Sequence, residues 1–328
     1  MSTLLDIQDL SVAFDTDDGT LTAAENVSFS IAPGEVVGLV GESGCGKSVT
    51  ALSLLRLIPM PPGRILSGRV LFEGRDLLRL PPSELRTVRG RRISVIFQEP
   101  MSALSPLHTI GAQLREALQF HQDLDHQTAT HIALEWLKKV GIPDPAERMQ
   151  AYPYQLSGGM LQRVMIAMAL MLEPALIIAD EPTTALDVTI QAQILDLLIE
   201  MKSKDTSLLI ITHDLGVVWE MCDRVLVMYA AKIVEEGSRH EIFKTPAHPY
   251  TQALLESVIS LTSRSERLSS IEGQVPSPLA YPKGCRFADR CKHAFARCRQ
   301  TQPPLYEVAR NHRSACFLSE VSDLKNIR

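Results

Sequence analysis

A glycine-rich octapeptide at residues 41–48 constrains the fold of this chain more than any other feature. It reads Gly-Glu-Ser-Gly-Cys-Gly-Lys-Ser and matches the pattern G-x-x-x-x-G-K-[ST] at every fixed position. An apolar run at residues 35–40 predicts a buried strand before it, and residues 48–58 predict a helix after it. Backbone N–H groups of such a loop, with the start of the helix, bind phosphate. The alternative is an ordinary glycine-rich turn.

The octapeptide predicts a nucleotide site with a magnesium ion. Lys47 is expected to reach the β- and γ-phosphates, and the hydroxyl of Ser48 to bind Mg²⁺. Cys45 stands at a variable position of the loop, where an unreactive packing thiol is expected. The predicted nucleotide-binding residues of the loop are Gly41, Glu42, Ser43, Gly44, Cys45, Gly46, Lys47 and Ser48.

Two carboxylates follow a second apolar run, at residues 175–179. Asp180 is suited to hold Mg²⁺, and Glu181, one residue further, is suited to act as general base towards the attacking water. An acidic pair at the start of a helix before Pro182 is the alternative. The phosphate loop upstream favours the catalytic interpretation.

The remaining pattern predicts an α/β fold. Apolar strands at residues 93–97, 175–179 and 208–212, with a helix at 188–201, predict a parallel sheet covered on both faces. Strands at 4–14 and 27–31 predict an antiparallel edge sheet, and 225–229 with 232–235 a closing strand pair. Residues 104–154 and 161–172 are predicted to be mostly helical.

Residues 155–160, Gln-Leu-Ser-Gly-Gly-Met, resemble the signature of ABC-transporter ATP-binding subunits. The resemblance implies a P-loop NTPase (RecA-like) core with an antiparallel β subdomain and a helical subdomain at about 104–172. It also implies that Ser157, Gly158 and Gly159 bind the γ-phosphate of an ATP held by an opposite subunit. Met160 stands where many relatives carry Gln, and the phosphate contacts come from the serine and glycines.

Further residues match motifs of that family. Gln98 resembles the Q-loop glutamine, which contacts Mg²⁺ or water, and residues 185–187 resemble the D-loop, with Asp187 at the dimer seam. His213 resembles the switch histidine, which donates to the γ-phosphate. A histidine after a strand is usually structural, which is the alternative. Phe14 is expected to stack on adenine or to be a core residue.

The composition changes after Pro246, where prolines recur as far as Pro304. Residues 248–255 and 284–291 resemble segments typical of the oligopeptide, dipeptide and nickel branch of ABC importers. We therefore predict an ATPase domain at residues 1–245 and a small cysteine-containing C-terminal extension at residues 246–328.

Four of the six cysteines lie in this extension with the spacing C-x5-C-x6-C-x17-C: Cys285, Cys291, Cys298 and Cys316. Thiolates suit iron–sulfur clusters or Zn²⁺. The resemblance favours a [4Fe-4S] cluster, since members of the branch can carry one, and the tight C-x2-C pairs of zinc ribbons are absent. Four free or partly buried thiols are the other alternative.

The resemblance implies an ATP-hydrolysing subunit that powers an importer of di- or oligopeptides or a related small solute. Its expected partners are a related second ATPase in a heterodimer, two transmembrane permease subunits and, indirectly, an extracytoplasmic solute-binding protein. A soluble ABC ATPase acting on nucleic acid or ribosomes is the alternative. A net charge of −5 argues against a broad basic surface for nucleic acid, which is not an expected partner.

The expected location is the cytoplasmic face of the inner membrane, as a peripheral subunit. The N-terminus has no basic start followed by a long apolar run, so no secretory signal is predicted. The longest apolar stretch, at residues 164–172, falls well short of the roughly 20 residues that cross a bilayer.

Overall fold

The structure is a computed structural model that describes residues 3–182, 188–262 and 271–320. The described residues form two compact units. The first comprises residues up to 32, 36–79 and from 211 onwards, and the second comprises 33–35 and 80–210. The α/β fold class is confirmed. Among the described residues, no helix is both long and apolar enough to span a membrane.

The described residues form the following strands and helices. The strands are β1 (Leu5–Thr16), β2 (Gly19–Ile31), β3 (Val36–Val40), β4 (Gly63–Phe72), β5 (Arg75–Asp76), β6 (Ile93–Ile96), β7 (Leu176–Asp180), β8 (Ser207–Thr212), β9 (Arg224–Tyr229), β10 (Lys232–Ser238), β11 (Tyr306–Ala309) and β12 (His312–Ser314). The helices are α1 (Lys47–Leu54), α2 (Pro82–Val88), α3 (Pro100–Ala103), α4 (Ile110–His121), α5 (His126–Lys139), α6 (Pro145–Arg148), α7 (Gly158–Leu170), α8 (Val188–Met201), α9 (Leu215–Met221), α10 (Arg239–Lys244), α11 (Pro249–Thr262) and α12 (Ala296–Gln300).

The first unit contains the predicted antiparallel sheet, in the order β2-β1-β4-β5. The second strand begins at Gly19 rather than at residue 27 as predicted. A tight turn joins Thr16 to Gly19, and the Thr16 hydroxyl donates to the Gly19 carbonyl oxygen at 2.7 Å. This turn brings the end of β1 and the start of β2 into register. The polar residues after the turn therefore pair with β1, although their sequence pattern is weak for a strand.

The first unit also contains β3, which pairs in parallel with β9, and β9 pairs antiparallel with β10. β3 is buried along its whole length, as expected for a strand covered on both faces. Helix α1 follows the phosphate loop but ends at Leu54, earlier than predicted. Arg56 adopts a left-handed φ of 53°, and the Leu57 N–H donates to the Leu52 carbonyl at 2.9 Å, which closes the helix four residues before Ile58.

The second unit contains the parallel strands β6 and β7, with β8 beside β7, and a helical region. Thr109 caps α4 by accepting from the Ala112 N–H, and Asp125 caps α5 by accepting from the Thr128 N–H. The two helices bury facing apolar stripes spaced at one turn: Leu114 and Leu118 on α4, and Ala129, Ala133 and Leu137 on α5. This confirms the mostly helical character predicted for the region.

Within the first unit, the extension contacts a buried carboxylate on β10. Glu235 has no exposed surface, and its carboxylate accepts from the backbone N–H groups of Ala247 and His248 at 2.7 and 3.0 Å. His312 on β12 contacts the same carboxylate through Nε2 at 2.8 Å. The extension is therefore attached to β10 by strand pairing with β12 and by the hydrogen bonds of one buried side chain.

Replacing His312 by Ala is expected to destabilise the protein by about 2–4 kcal/mol, because Glu235 then stays buried with one partner fewer. Chemical denaturation of the purified chain measures the change. Arg299→Ala is the control: Arg299 pairs with Asp289 in the same extension, and both side chains are more than 60% exposed. Its loss should cost at most about 1 kcal/mol. Equal losses in the two variants would contradict the anchoring role of Glu235.

Candidate nucleotide-binding site

The phosphate loop follows β3 and leads into α1. Backbone carbonyl groups from other strands lie close to two of its glycines. Gly41 has φ 153°, and a Cβ there would lie 2.1 Å from the Met228 carbonyl oxygen. Gly46 caps α1 with φ 105°, and a Cβ there would lie 1.9 Å from the Ala23 carbonyl oxygen. Both positions require glycine for conformation and for space. The loop therefore has the strand–loop–helix setting that its sequence predicts.

Lys47 begins α1 and is almost entirely buried, with 5% of its surface exposed. Its Nζ donates to the carbonyl oxygens of Gly41 and Glu42 at 2.9 and 3.1 Å, so the ammonium group lies over the loop itself. Ser48 lies in the first turn of the same helix. A cation and a helix N-terminus at one loop suit the binding of phosphate groups.

Cys45 faces inward from the loop and is 1% exposed. Burial raises the pKa of its thiol, although the nearby Lys47 acts in the opposite direction. The thiol is therefore protonated at neutral pH, which fits the packing role expected from the sequence.

The predicted carboxylates lie in the second unit, at the end of β7. Strands β6 and β7 are parallel with Ile96 opposite Ala179, so the residues that follow the two strands come close together. Asp180 is buried, and Glu181 has a left-handed φ of 45°. Gln98 Nε2 donates to Glu181 Oε2 at 3.2 Å. A non-glycine residue in this conformation is strained, and such strain is concentrated at functional sites.

The Ser-Gly-Gly segment opens α7 in the second unit. Ser157 is the N-cap, and its hydroxyl accepts from the Met160 N–H at 3.4 Å. Ser157 and Gly158 are exposed, so the helix N-terminus faces solvent. Further along α7, buried Gln162 donates to the Pro182 carbonyl at 2.6 Å, which ties the helix to the segment after Glu181. The exposed N-terminus can accept an anion presented from outside this chain.

The remaining predicted site residues lie in the first unit or outside the described residues. His213 is exposed after β8 in the first unit, immediately before Asp214, which caps α9 by accepting from the Gly216 N–H at 2.8 Å. Phe14 is half-buried on β1, also in the first unit. Asp187 and the rest of the predicted D-loop lie outside the described residues.

The four cysteines of the extension are half-buried and line a single small cavity together with His248 and Phe287. Burial raises the pKa of the Cys316 thiol to about 11, with a smaller contribution in the same direction from the other three cysteines. Within the described ranges, no three His, Cys, Asp or Glu side chains are grouped closely enough to hold a metal ion.

Two residues that contact the phosphate loop were missed by the sequence analysis. Tyr250 and Arg290 both bind Glu42, from positions more than 200 residues further along the chain. The sequence analysis noted the segments in which they lie, but as features of the extension. No local signal relates those segments to the loop.

Comparison with known proteins places these features in a family. The model of the ABC transporter family matches residues 24–184, and that of the oligopeptide/dipeptide transporter C-terminal region matches residues 234–298. A Sinorhizobium fredii protein named "Probable peptide ABC transporter ATP-binding protein" is 51% identical over 96% of this chain and 95% of its own length. The dipeptide transport ATP-binding protein of Escherichia coli is 48% identical over 95% of this chain and 96% of its own.

Solved structures show the same relationship. A dimeric ATP-binding cassette in a post-hydrolysis state, bound to ADP and Pi, superimposes with a TM-score of 0.64 at 27% identity. The match covers 72% of this chain and 98% of that one. With a phosphate loop, an acidic strand end and a signature segment in order, and with relatives matched along nearly its whole length, the chain belongs to the family of ABC transporter ATP-binding proteins, which are ATPases.

Proposed function

We propose that this chain binds and hydrolyses ATP to power the import of dipeptides, oligopeptides or a related small solute. The observation that carries the proposal is the full-length similarity to ATP-binding proteins of peptide transporters, which includes the extension as well as the ATPase core. A soluble ATPase acting on nucleic acid or ribosomes is not favoured, because these relatives are transporter proteins. We retain residues 1–245 and 246–328 as the proposed ATPase domain and extension.

The proposed chemistry is assigned to individual residues. The loop at residues 41–48 cradles the phosphates, with Lys47 as their cation, and Phe14 stacks on adenine. Ser48, Asp180 and Gln98 offer oxygen donors, which suit the hard cation Mg²⁺. When bound, Mg²⁺ neutralises charge on the phosphates. Glu181 takes the proton of the attacking water, and the contact of its carboxylate with Gln98 supports this role by orienting it.

The exposed signature segment supports a dimeric arrangement of the ATPase. Ser157, Gly158 and Gly159 are proposed to bind the γ-phosphate of a nucleotide on a second ATPase subunit, related to this chain but different from it. Asp187 is proposed to lie at the seam of that dimer. His213 is proposed to donate to the γ-phosphate of this chain's own nucleotide and to hold the water in place.

A permease-binding surface is proposed near Gln98, within residues 98–116. Apolar side chains are exposed in and beside this segment of the second unit: Phe97 is 36% exposed, Met101 49% and Leu107 80%. Exposed apolar side chains grouped in this way favour a protein contact. Two transmembrane permease subunits would then hold the chain at the cytoplasmic face of the inner membrane, with the solute-binding protein acting from the other side.

We further propose that Cys285, Cys291, Cys298 and Cys316 hold a [4Fe-4S] cluster rather than Zn²⁺. Their location around one cavity supports this, since a [4Fe-4S] cluster is held by four cysteine thiolates. The cluster would cross-link a proline-rich segment that has few core residues of its own.

Glu181→Gln is expected to keep ATP binding and to lower turnover by about a hundredfold or more, because the amide cannot accept the proton. Binding is measured by titration with ATP, and hydrolysis by phosphate release. Glu173→Gln is the matched control: it makes the same change at an exposed residue before β7 that also has a left-handed φ, of 50°. Near-normal turnover of Glu181→Gln would reject Glu181 as the base.

Cys285→Ser is expected to abolish the iron content and the brown absorbance of anaerobically purified protein, because one of four cluster ligands is lost. Cys222→Ala is the control, since Cys222 is fully buried in the first unit and burial raises its pKa to about 12. That variant should keep the iron. Stoichiometric zinc, or protein free of metal after anaerobic purification, would overturn the cluster assignment.

A further inference from the structure

Glu42, the second residue of the phosphate loop, is held at each of its polar groups. Its N–H donates to the Tyr250 hydroxyl at 2.9 Å, and its carbonyl accepts from Lys47 Nζ at 3.1 Å. Its carboxylate accepts two parallel hydrogen bonds from the Arg290 guanidinium, at 2.8 and 3.0 Å. Two of these three partners belong to the extension rather than to the ATPase core.

Arg290 is fixed in place by its other hydrogen bonds. Its Nε and one terminal nitrogen donate to the carbonyl oxygens of Glu272 and Ile271 at 3.0 and 3.1 Å. The other terminal nitrogen also contacts the Tyr229 hydroxyl at 3.3 Å. The side chain is only 6% exposed, and its hydrogen bonds to Glu42 raise the pKa of Arg290 further. A planar guanidinium held in this way presents a fixed positive charge to the loop.

Tyr250 reaches the loop from the first turn of α11. It has no exposed surface and packs against Tyr229 and Phe287, with ring centroids 4.5 and 5.5 Å away. Burial raises the pKa of Tyr250, so its hydroxyl stays protonated and neutral. The aromatic cluster of Tyr229, Tyr250 and Phe287 thus packs the extension against β9, beside the phosphate loop.

A carboxylate in a loop that binds a triphosphate needs a compensating charge. Left unpaired, it would repel the nucleotide and be free to turn towards the phosphates. Arg290 neutralises this carboxylate, and the Tyr250 hydroxyl fixes the direction of the adjoining backbone N–H. Neither residue belongs to the strand, loop or helix that forms the phosphate site.

We propose that Arg290 and Tyr250 are positioning residues for nucleotide binding, through which the extension sets the conformation and charge of the phosphate loop. The inference goes beyond the proposed import function, because it concerns how this chain binds ATP whatever solute is carried. It makes the extension a working part of the nucleotide site. Both residues act through Glu42 and lie outside direct contact with the reacting atoms.

Arg290→Gln in the full chain is expected to weaken ATP binding about tenfold, through uncompensated repulsion by Glu42. The apparent KM for ATP should rise by a similar factor with little change in kcat, since the carboxylates of the second unit are untouched. Titration calorimetry with ATP and steady-state hydrolysis measure the two effects. Arg297→Gln is the matched control, because Arg297 forms a bidentate pair with Glu320 at the surface of the same extension. Its ATP affinity should equal that of the unmodified protein.

Rescue separates positioning from a purely structural role. In the double variant Glu42→Gln with Arg290→Gln no charge is left to compensate, so ATP affinity should recover most of the loss. A structural role predicts no recovery, together with an equal fall in thermal stability for the single and double variants. Unchanged affinity in Arg290→Gln, or no recovery in the double variant, would overturn the proposal for Arg290.

Two further variants cover the case in which Arg290→Gln does not fold. Arg290→Lys keeps the charge but loses the bidentate geometry, and should show an intermediate affinity. Tyr250→Phe keeps the packing and removes only the acceptor for the Glu42 N–H, so a smaller, severalfold loss of ATP affinity is expected. Full affinity in both variants would overturn the assignment.

Discussion

The close packing of backbone against backbone around the phosphate loop is the constraint on which the nucleotide site depends. Gly41 meets the carbonyl of Met228 on β9, and the Ala231 N–H, in the turn after β9, donates to the Cys45 carbonyl at 2.9 Å. The β9–β10 hairpin therefore packs directly against the phosphate loop. The same hairpin carries Glu235, which anchors the extension, and Tyr229, which contacts Arg290. The β9–β10 hairpin thus contacts both the phosphate loop and the extension.

The second unit places the proposed general base, Glu181, at the end of a strand. Parallel register between β6 and β7 brings Gln98 to Glu181, and the left-handed backbone at Glu181 turns the chain sharply after the buried Asp180. β7 has no exposed residue, and a one-residue slip of this strand would bury the wrong side chains. The position of the turn is therefore fixed. The strain at Glu181 is small beside the packing energy of the strand.

Local motifs and secondary-structure elements could be predicted from the sequence. Contacts between residues far apart in the sequence could not. The glycine loop, the strand before it, the helix after it and the helix that follows the Ser-Gly-Gly turn were predicted from spacing and periodicity, and each is present. The end of α1 was missed because it depends on Arg56 adopting a left-handed conformation that its residue type does not favour. The Glu42–Arg290 pair joins residues 248 positions apart, so no local pattern contains it. The four cysteines of the extension were predicted to lie together, and they line one cavity.

The pairing of Glu42 also explains how an anion-binding loop tolerates a carboxylate. At an effective dielectric constant of about 20, an unpaired carboxylate near a phosphate charge would contribute repulsion on the order of 2 kcal/mol, enough to weaken binding more than tenfold. A guanidinium whose donors are already occupied by protein groups cancels that charge without competing for the nucleotide. A flexible, strongly hydrated lysine ammonium would cancel it less completely and would be free to turn towards the phosphates. The requirement for a fixed cation gives a physical reason for the extension to pack so closely against the loop.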